Sequence, residues 1–239
     1  YGPKVQTDLS TCVNDRACQR IGACPAFEQV TVTRERPSQR AGFEVVLSDL
    51  PQPPRPIHAG HDTWRCFLAG VGGMGVGAAT AILSSAGSEM GYQVQFIRHN
   101  GVAVRNGGVY SQLVYTRQDP AGGHGDDHLP TTAAIPYGAC DLILGIDLLE
   151  AVRAIDPDHR YRAASPNTTA AVINTAATPT VDQLLGQTDI DPAQLDRTLR
   201  RYTRPDQYVG CNVGALSERL LGSRRFVNVI LLGMAYQRG

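Results

Sequence analysis

The stretch Gly70-Val71-Gly72-Gly73-Met74-Gly75 (GVGGMG) joins an apolar segment, WRCFLAG (64–70), to an alanine-rich segment, AATAILSSAGSEMG (78–91). The apolar segment is typical of a short strand, and the alanine-rich one predicts a helix that ends at Gly91. Glycines at such a junction permit a tight turn and a close approach of the backbone to a ligand, and the helix N-terminus favours an anion. The stretch therefore predicts an anion-binding turn; a junction that needs glycine only for packing is the alternative.

Strand patterns alternate with helix patterns along the chain after this turn. The strand candidates are YQVQFI (92–97), GVYSQLVYT (108–116), CDLILGID (140–147), TTAAVINT (168–175) and QYVGCNV (207–213). The helix candidates are LLEAVRAI (148–155), DPAQLDRTLRRYT (191–203), ALSERLLG (215–222) and RFVNVILLGMAYQRG (225–239). Because this alternation favours a parallel sheet covered on both faces, we predict an α/β fold with a mostly parallel, Rossmann-like sheet.

A second glycine-rich stretch, Arg105-Asn106-Gly107-Gly108, follows the strand predicted at 92–97. Loops at this position of an α/β sheet face a ligand crevice. A basic side chain, an amide and two glycines would suit a phosphate or a carboxylate. A plain hairpin turn is the alternative, because Asn-Gly favours positive φ.

The end of the strand predicted at 92–97 lacks an acidic residue. A dinucleotide site needs Asp or Glu there to hold the ribose, whereas this chain continues Ile97-Arg98-His99-Asn100. The sequence therefore argues against NAD or FAD, and Arg98 would suit a 2′-phosphate instead.

The charge and hydropathy of the chain exclude two classes of partner. With 22 basic and 22 acidic side chains the formal net charge is zero, which argues against nucleic acid. No apolar run approaches the roughly 20 residues of a membrane span, and the N-terminus lacks a signal pattern. We therefore expect a cytoplasmic protein with no membrane span. The chain begins without methionine, so we expect a processed or excised piece.

Three cysteines near the N-terminus, Cys12, Cys18 and Cys24, follow the pattern C-x5-C-x5-C-P. Iron–sulfur clusters take cysteine thiolates and a final Cys-Pro is usual, but the ordinary spacing, C-x2-C-x2-C-x3-C-P, is tighter. Zinc is the alternative metal, although no histidine nearby would complete four ligands. At least one ligand must come from elsewhere, because the remaining cysteines have surroundings typical of a protein core: Cys66, Cys140 and Cys211.

The segments from about residue 65 to residue 239 resemble the gamma domain of 2-oxoacid:ferredoxin oxidoreductases, in particular the indolepyruvate type with fused subunits. The resemblance is carried by GVGGMGVGAATAIL, NGVAVRNGGVYSQLVYTR, AAIPYGACDLILGIDLLEAV, AVINT, GALSERLLG and NVILLGMAYQRG. The segment TCVNDRACQRIGACPAF resembles the cysteine segment of the same proteins. One difference lies in the second glycine-rich stretch, where the usual Gln-Lys is replaced by Arg105-Asn106.

The resemblance implies that a 2-oxoacid is decarboxylated on thiamine diphosphate and that the acyl unit passes to coenzyme A. It implies that electrons leave through [4Fe–4S] clusters, ligated in part by the three N-terminal cysteines, to ferredoxin. The phosphates of coenzyme A are expected at Gly70–Gly75 and Arg105. The chain has no thiamine motif, so other domains or subunits are expected to hold thiamine diphosphate and Mg²⁺.

The domain organisation implied by the resemblance has three parts. Residues 1–33 are part of a ferredoxin-like iron–sulfur segment, residues 34–63 form a proline-rich linker, and residues 64–239 form the gamma domain. The expected partners are the thiamine-binding alpha and beta domains or subunits, ferredoxin, and further copies in a homo-oligomer of the whole complex.

Two other functions remain compatible with parts of the sequence. A nucleotide-binding protein could use GVGGMG for ATP, but it would need basic and acidic catalytic residues after the strand at 92–97. A non-catalytic subunit could instead serve only to transfer electrons and dock partners.

Overall fold

The structure, a computed structural model, describes residues 4–7, 27–30, 50–56, 61–100, 107–117, 132–155, 161–187 and 190–239. The chain divides into two compact units, Tyr1–Gly42 and Phe43–Gly239. In the first unit, β1 (Lys4–Thr7) and β2 (Phe27–Val30) pair as antiparallel strands.

The second unit contains a six-stranded sheet. Its strands are β3 (Thr63–Val71), β4 (Tyr92–Asn100), β5 (Gly108–Arg117), β6 (Leu142–Gly145), β7 (Ala170–Asn174) and β8 (Tyr208–Cys211). The order across the sheet is β4-β5-β3-β6-β7-β8. Strands β3, β6, β7 and β8 are parallel, whereas β5 is antiparallel to both of its neighbours, β3 and β4. Five of the six strands therefore run in one direction, which confirms the predicted α/β fold.

Strand β5 is the exception because of the short connection that precedes it. Seven residues separate β4 from β5. A parallel neighbour would need a crossover of about a dozen residues or more. The chain therefore returns beside β4 as an antiparallel strand. Arg105 and Asn106 lie outside the described residues, so their predicted role is not decided by this pairing.

The described helices of the second unit lie close to their predicted positions, except for a short helix at Val181–Leu184 that the sequence analysis does not predict. They are α1 (Val76–Glu89), α2 (Leu148–Ile155), α3 (Val181–Leu184), α4 (Pro192–Tyr202), α5 (Val213–Leu221) and α6 (Val227–Arg238). Short 3-10 helices cover Pro205–Gln207 and Arg224–Phe226. Among the described residues, no helix is long and apolar enough to cross a membrane.

The core lies on both faces of the sheet because side chains alternate along each strand. On β3, Phe67 and Ala69 pack in one cluster with Leu148 and Ala151 of α2. The intervening Cys66 and Leu68 pack in a second cluster, which includes residues of α1 and α6. Helices α1 and α6 therefore cover one face and α2 covers the other.

Candidate functional site

The turn between β3 and α1 needs glycine for two different reasons. The Met74 amide donates to the Val71 carbonyl at 3.0 Å, and Gly73 and Gly75 have φ values of +96° and +86°. Residues with side chains rarely adopt that region. Gly70 serves packing instead: a Cβ there would lie 2.7 Å from Cγ2 of Val76. The packing alternative therefore applies to Gly70, and the conformation of the turn depends on Gly73 and Gly75.

The two predicted glycine-rich stretches meet at one edge of the sheet. The Gly72 amide donates to the Gly107 carbonyl at 2.9 Å, and Gly108 pairs with Val71 in the β3–β5 ladder. This is the edge at which the parallel strands end, where α/β proteins bind ligands. Arg105 and Asn106 lie outside the described residues and directly precede Gly107 in sequence.

The N-terminus of α1 has the character of an anion site. Gly75 precedes the helix and, among the described residues, no side chain caps it. The first amides of a helix have no intrahelical partner and carry partial positive charge. Arg98, on β4, places a full positive charge at this end of the helix. Its Nη1 lies 3.0 Å from the position that a Cβ on Gly77 would occupy.

Strand β6 ends in a carboxylate that organises the next helix. Oδ1 of Asp147 accepts the amides of Leu149 at 3.0 Å and Glu150 at 3.1 Å, so this side chain caps α2. Asp147 is 2% exposed, and its Oδ2 has no hydrogen-bond partner among the described atoms.

Glu150, in the first turn of α2, packs against the start of β5. Its Cδ lies 2.8 Å from the position of a Cβ on Gly108, so a larger residue there would require the Glu150 carboxylate to move. Burial raises the pKa of the Glu150 carboxyl, whereas its ion pair with Arg153, at 2.6 Å, lowers it. Glu150 thus links α2 to the second glycine-rich stretch.

Asn174 connects the ends of three elements beside the site. Its Nδ2 donates to the Ile146 carbonyl at 3.0 Å, and its Oδ1 accepts the Val213 amide at 3.0 Å. Asn174 is 1% exposed. One buried amide therefore holds β7, the end of β6 and the start of α5 in register.

The family model of the pyruvate ferredoxin/flavodoxin oxidoreductases matches residues 65–239. This chain belongs to that family. The family's enzymes act on 2-oxoacids and use thiamine diphosphate, coenzyme A and iron–sulfur clusters. The match covers both glycine-rich stretches and every element from β3 to α6 except the first two residues of β3.

Several solved structures are similar to this member of the family. A pyruvate oxidoreductase subunit, PORC, from Thermotoga maritima has 16% identity and a TM-score of 0.46, over 73% of this chain and 75% of that one. The keto/oxoacid ferredoxin oxidoreductase gamma subunit from Geobacter sulfurreducens has 16% identity and a TM-score of 0.41, over 72% and 75%. The 2-oxoglutarate:ferredoxin oxidoreductase from Magnetococcus marinus, with 2-oxoglutarate, coenzyme A and succinyl-CoA bound, has 13% identity and a TM-score of 0.45, over 72% and 23%. No curated protein matches the chain.

The described part of this oxidoreductase-family chain does not fit an iron–sulfur cluster. It contains no group of three or more His, Cys, Asp or Glu residues that could hold a metal ion. Burial raises the pKa of the Cys66 and Cys140 thiols, which keeps them protonated and poor ligands. Cys12, Cys18 and Cys24, the predicted ligands, lie outside the described residues.

The structure adds residues to the site that the sequence prediction had not assigned to it. The sequence analysis assigns Arg98 only to a 2′-phosphate, and it assigns no role to Asp147, Glu150 and Asn174. It also assigns none to Asn228 of α6, whose Nδ2 donates to the Gly75 carbonyl at 3.2 Å. Asn174 and Asn228 each carried a signal, because an amide inside an apolar segment must find partners when buried. The partners themselves were not readable, since they lie far away along the chain.

Proposed function

We propose that this chain supplies the gamma domain of a 2-oxoacid:ferredoxin oxidoreductase of the indolepyruvate type, with part of its iron–sulfur module. The enzyme would convert an aryl-type 2-oxoacid to an acyl-CoA and pass the electrons to ferredoxin. The observation that carries the proposal is the hydrogen bond from Gly72 to Gly107, which joins both glycine-rich stretches beside the N-terminus of α1. This junction lies inside the segment that matches the family model.

The junction suits the phosphates of coenzyme A. The glycine turn, which we define as Gly72–Gly75 between β3 and α1, leaves its backbone accessible, because a Cβ on Gly73 would have no described atom within 4 Å. Amides at the start of α1 and the guanidinium of Arg98 supply donors and positive charge for a phosphate. Arg105 and Asn106, which directly precede Gly107, would contribute a further cation and an amide. Gly70 to Gly75, Arg105, Asn106, Gly107 and Gly108 thus form the proposed coenzyme A site.

A substitution of Arg105 tests this site in the complete enzyme. Arg105→Ala should raise KM for coenzyme A about tenfold or more and leave KM for the 2-oxoacid unchanged, because only the phosphate contact is removed. Arg117→Ala, at the far end of β5, is the matched control. If Arg105→Ala leaves KM for coenzyme A unchanged, Arg105 does not bind a phosphate of coenzyme A.

The cofactors are divided between this chain and its partners in our proposal. Cys12, Cys18 and Cys24 would ligate [4Fe–4S] iron together with cysteines supplied from elsewhere. The alpha and beta domains or subunits would hold thiamine diphosphate and Mg²⁺. Residues 1–33, 34–63 and 64–239 would be the cluster segment, the linker and the gamma domain.

Two measurements address these assignments. Iron and sulfide analysis of the complete enzyme should show less of both elements in Cys18→Ser than in Cys211→Ser, since Cys211 lies in the sheet. Turnover with indolepyruvate should exceed turnover with pyruvate in kcat/KM, and should require the thiamine-bearing part. The predicted cytoplasmic location stays a prediction.

A further inference from the structure

Gly77, the second residue of α1, has no conformational reason to be glycine. Its φ is not positive, unlike those of Gly73 and Gly75 in the preceding turn. Inside a helix, glycine is less favourable than alanine. Outside its own helix, the one described atom within 4 Å of a Cβ at this position would be Nη1 of Arg98, at 3.0 Å. Gly77 therefore leaves room for the guanidinium of Arg98.

The guanidinium of Arg98 has its full charge available at the start of α1. Arg98 belongs to β4, a strand at the edge of the sheet, and its side chain is exposed. No acidic side chain in the described part of the chain forms an ion pair with it. A guanidinium binds a phosphate through two parallel hydrogen bonds when no carboxylate occupies those donors. Arg98 is therefore free of competing carboxylates among the described residues.

A buried hydroxyl without a partner lies directly beside Arg98. Ser111 is opposite Arg98 in the β4–β5 ladder. Residues paired in this way point to the same face of the sheet, with their Cβ atoms about 5 Å apart. Ser111 is 0% exposed, and its Oγ has no hydrogen-bond partner among the described atoms. Buried hydroxyls nearly always have a partner, so an acceptor is missing beside Arg98.

The position of Arg98 in the fold is one that reads a ribose. In dinucleotide-binding folds the end of the strand after the first helix carries an acid for a free ribose hydroxyl, or an arginine nearby for a ribose phosphate. Here that strand is β4, and Arg98 lies near its end at Asn100. Strand β5 separates β4 from β3. The side chain of Arg98 spans this separation, because its guanidinium reaches back to Gly77.

We propose that Arg98, placed over Gly77, binds the 3′-phosphate of coenzyme A and thereby makes the enzyme select coenzyme A over dephospho-coenzyme A, which lacks that phosphate. This inference rests on the proposed coenzyme A site and assigns one phosphate to one residue within it. The 3′-phosphate is a monoester and carries nearly two negative charges at pH 7, so a full cation stabilises it most. The pyrophosphate suits the backbone amides of the glycine turn and of the start of α1.

The test is isothermal titration calorimetry of the complete enzyme with coenzyme A and with dephospho-coenzyme A. The wild type should bind coenzyme A at least about tenfold more tightly than dephospho-coenzyme A. Arg98→Ala should raise the Kd for coenzyme A about fivefold to fiftyfold and leave the Kd for dephospho-coenzyme A unchanged, because only the contact with the 3′-phosphate is removed.

Gly77→Ala provides a second test that separates binding from stability. The added methyl group would displace the end of a flexible side chain rather than backbone. The variant should therefore resist urea at least as well as the wild type, while its Kd for coenzyme A rises about threefold or more. Gly233→Ala, in α6, is the matched control, because a Cβ there would have no described atom within 4 Å. It should leave the Kd for both ligands unchanged.

Three results would overturn the assignment of the 3′-phosphate. They are equal affinity of the wild type for the two ligands, an Arg98→Ala variant that weakens both ligands equally or neither, and a Gly77→Ala variant that binds coenzyme A as the wild type does. The proposed coenzyme A site would survive any of them if Arg105→Ala weakens binding of both ligands. If Arg105→Ala changes neither affinity but Arg98→Ala weakens coenzyme A alone, the role of Arg105 fails and the assignment of the 3′-phosphate stands.

Discussion

The side-chain amide of Asn228 donates a hydrogen bond of 3.2 Å to the carbonyl of Gly75, 153 positions earlier in the chain. The same carbonyl accepts the Ala79 amide at 3.0 Å in the first turn of α1. One contact therefore fixes the last helix of the chain against the glycine turn.

Replacement of Asn228 should loosen the turn at a modest cost in stability. Asn228→Ala should lower the free energy of unfolding by about 1 kcal/mol, since the Gly75 carbonyl keeps one of its two partners. KM for coenzyme A should rise in the complete enzyme, because the turn loses its support. Urea denaturation and steady-state kinetics measure both effects. Asn167→Ala, an exposed position, is the control, and an equal effect there would contradict the assignment.

Gly75→Ala should be more damaging than a comparable glycine substitution. Gly75 and Gly91 both have positive φ, +86° and +81°. A Cβ on Gly75 would lie 2.5 Å from Nδ2 of Asn228, whereas one on Gly91 would have no described atom within 4 Å. Gly91→Ala should cost about 1 kcal/mol from backbone strain, and Gly75→Ala about 1–3 kcal/mol more. If Gly75→Ala and Gly91→Ala lower the free energy of unfolding equally in urea denaturation, the side chain of Asn228 moves aside without cost.

Among the polar residues near the site, Asn174 should cause the largest loss of stability when it is replaced. Asn174→Leu removes an acceptor for the Val213 amide and a donor to the Ile146 carbonyl, and both groups are left buried. We expect a loss of about 3 kcal/mol or more in the free energy of unfolding. Asn212→Ala removes only the cap of α5 and should cost about 1 kcal/mol. If the two variants unfold at the same denaturant concentration, Asn174 is not the link described above.

Arg98 should contribute to coenzyme A affinity through its charge. Arg98→Ala should raise KM for coenzyme A about fivefold to fiftyfold, and Arg98→Lys should recover part of the loss, because a cation returns to the N-terminus of α1. The stability of the protein should hardly change, since Arg98 is exposed. If the wild type, Arg98→Ala and Arg98→Lys have the same KM for coenzyme A, Arg98 does not bind coenzyme A.

The buried thiols predict a loss of stability in alkaline solution. Burial raises the pKa of Cys66 and Cys140 in the folded state, so their stabilising contribution is complete below the unfolded pKa of about 8.5 and declines above it. The free energy of unfolding should fall by up to about 1.4 kcal/mol per pH unit for each thiol. Urea denaturation between pH 7.5 and pH 10 measures this slope. The double variant Cys66→Ala with Cys140→Ala should be less stable, but its free energy of unfolding should depend less on pH. If the free energy of unfolding of the variant falls as steeply with pH as that of the wild type, other groups cause the loss.

Local patterns in the sequence predict most of the described helices and strands. The helix predicted at 148–155 has those bounds in α2. Asp191, the first residue of the segment predicted as a helix at 191–203, caps α4 and accepts the Ala193 amide at 2.8 Å. The strand predicted at 140–147 is shorter, Leu142–Gly145, because the backbone of the preceding residues bonds elsewhere. The Cys140 amide donates to the Ala163 carbonyl at 3.0 Å, outside the ladder.

Both glycine-rich stretches of the site were predicted, but not their contact. Gly72 and Gly107 are separated by α1 and β4, and neither sequence pattern states that one donates to the other. The cysteine ligands, the domain boundaries and the roles of Arg105 and Asn106 stay predictions.

The sequence by itself determined the α/β class, the positions of most helices and strands, and the family, because these depend on residue type over short windows. Tertiary structure alone decided that Asn228 supports Gly75, that Arg98 lies over the start of α1, and that Glu150 meets Gly108. These contacts join residues tens of positions apart, and burial rather than local propensity selects them. Whether a buried polar group finds its partner is settled only when the sheet and its two helical layers have come together.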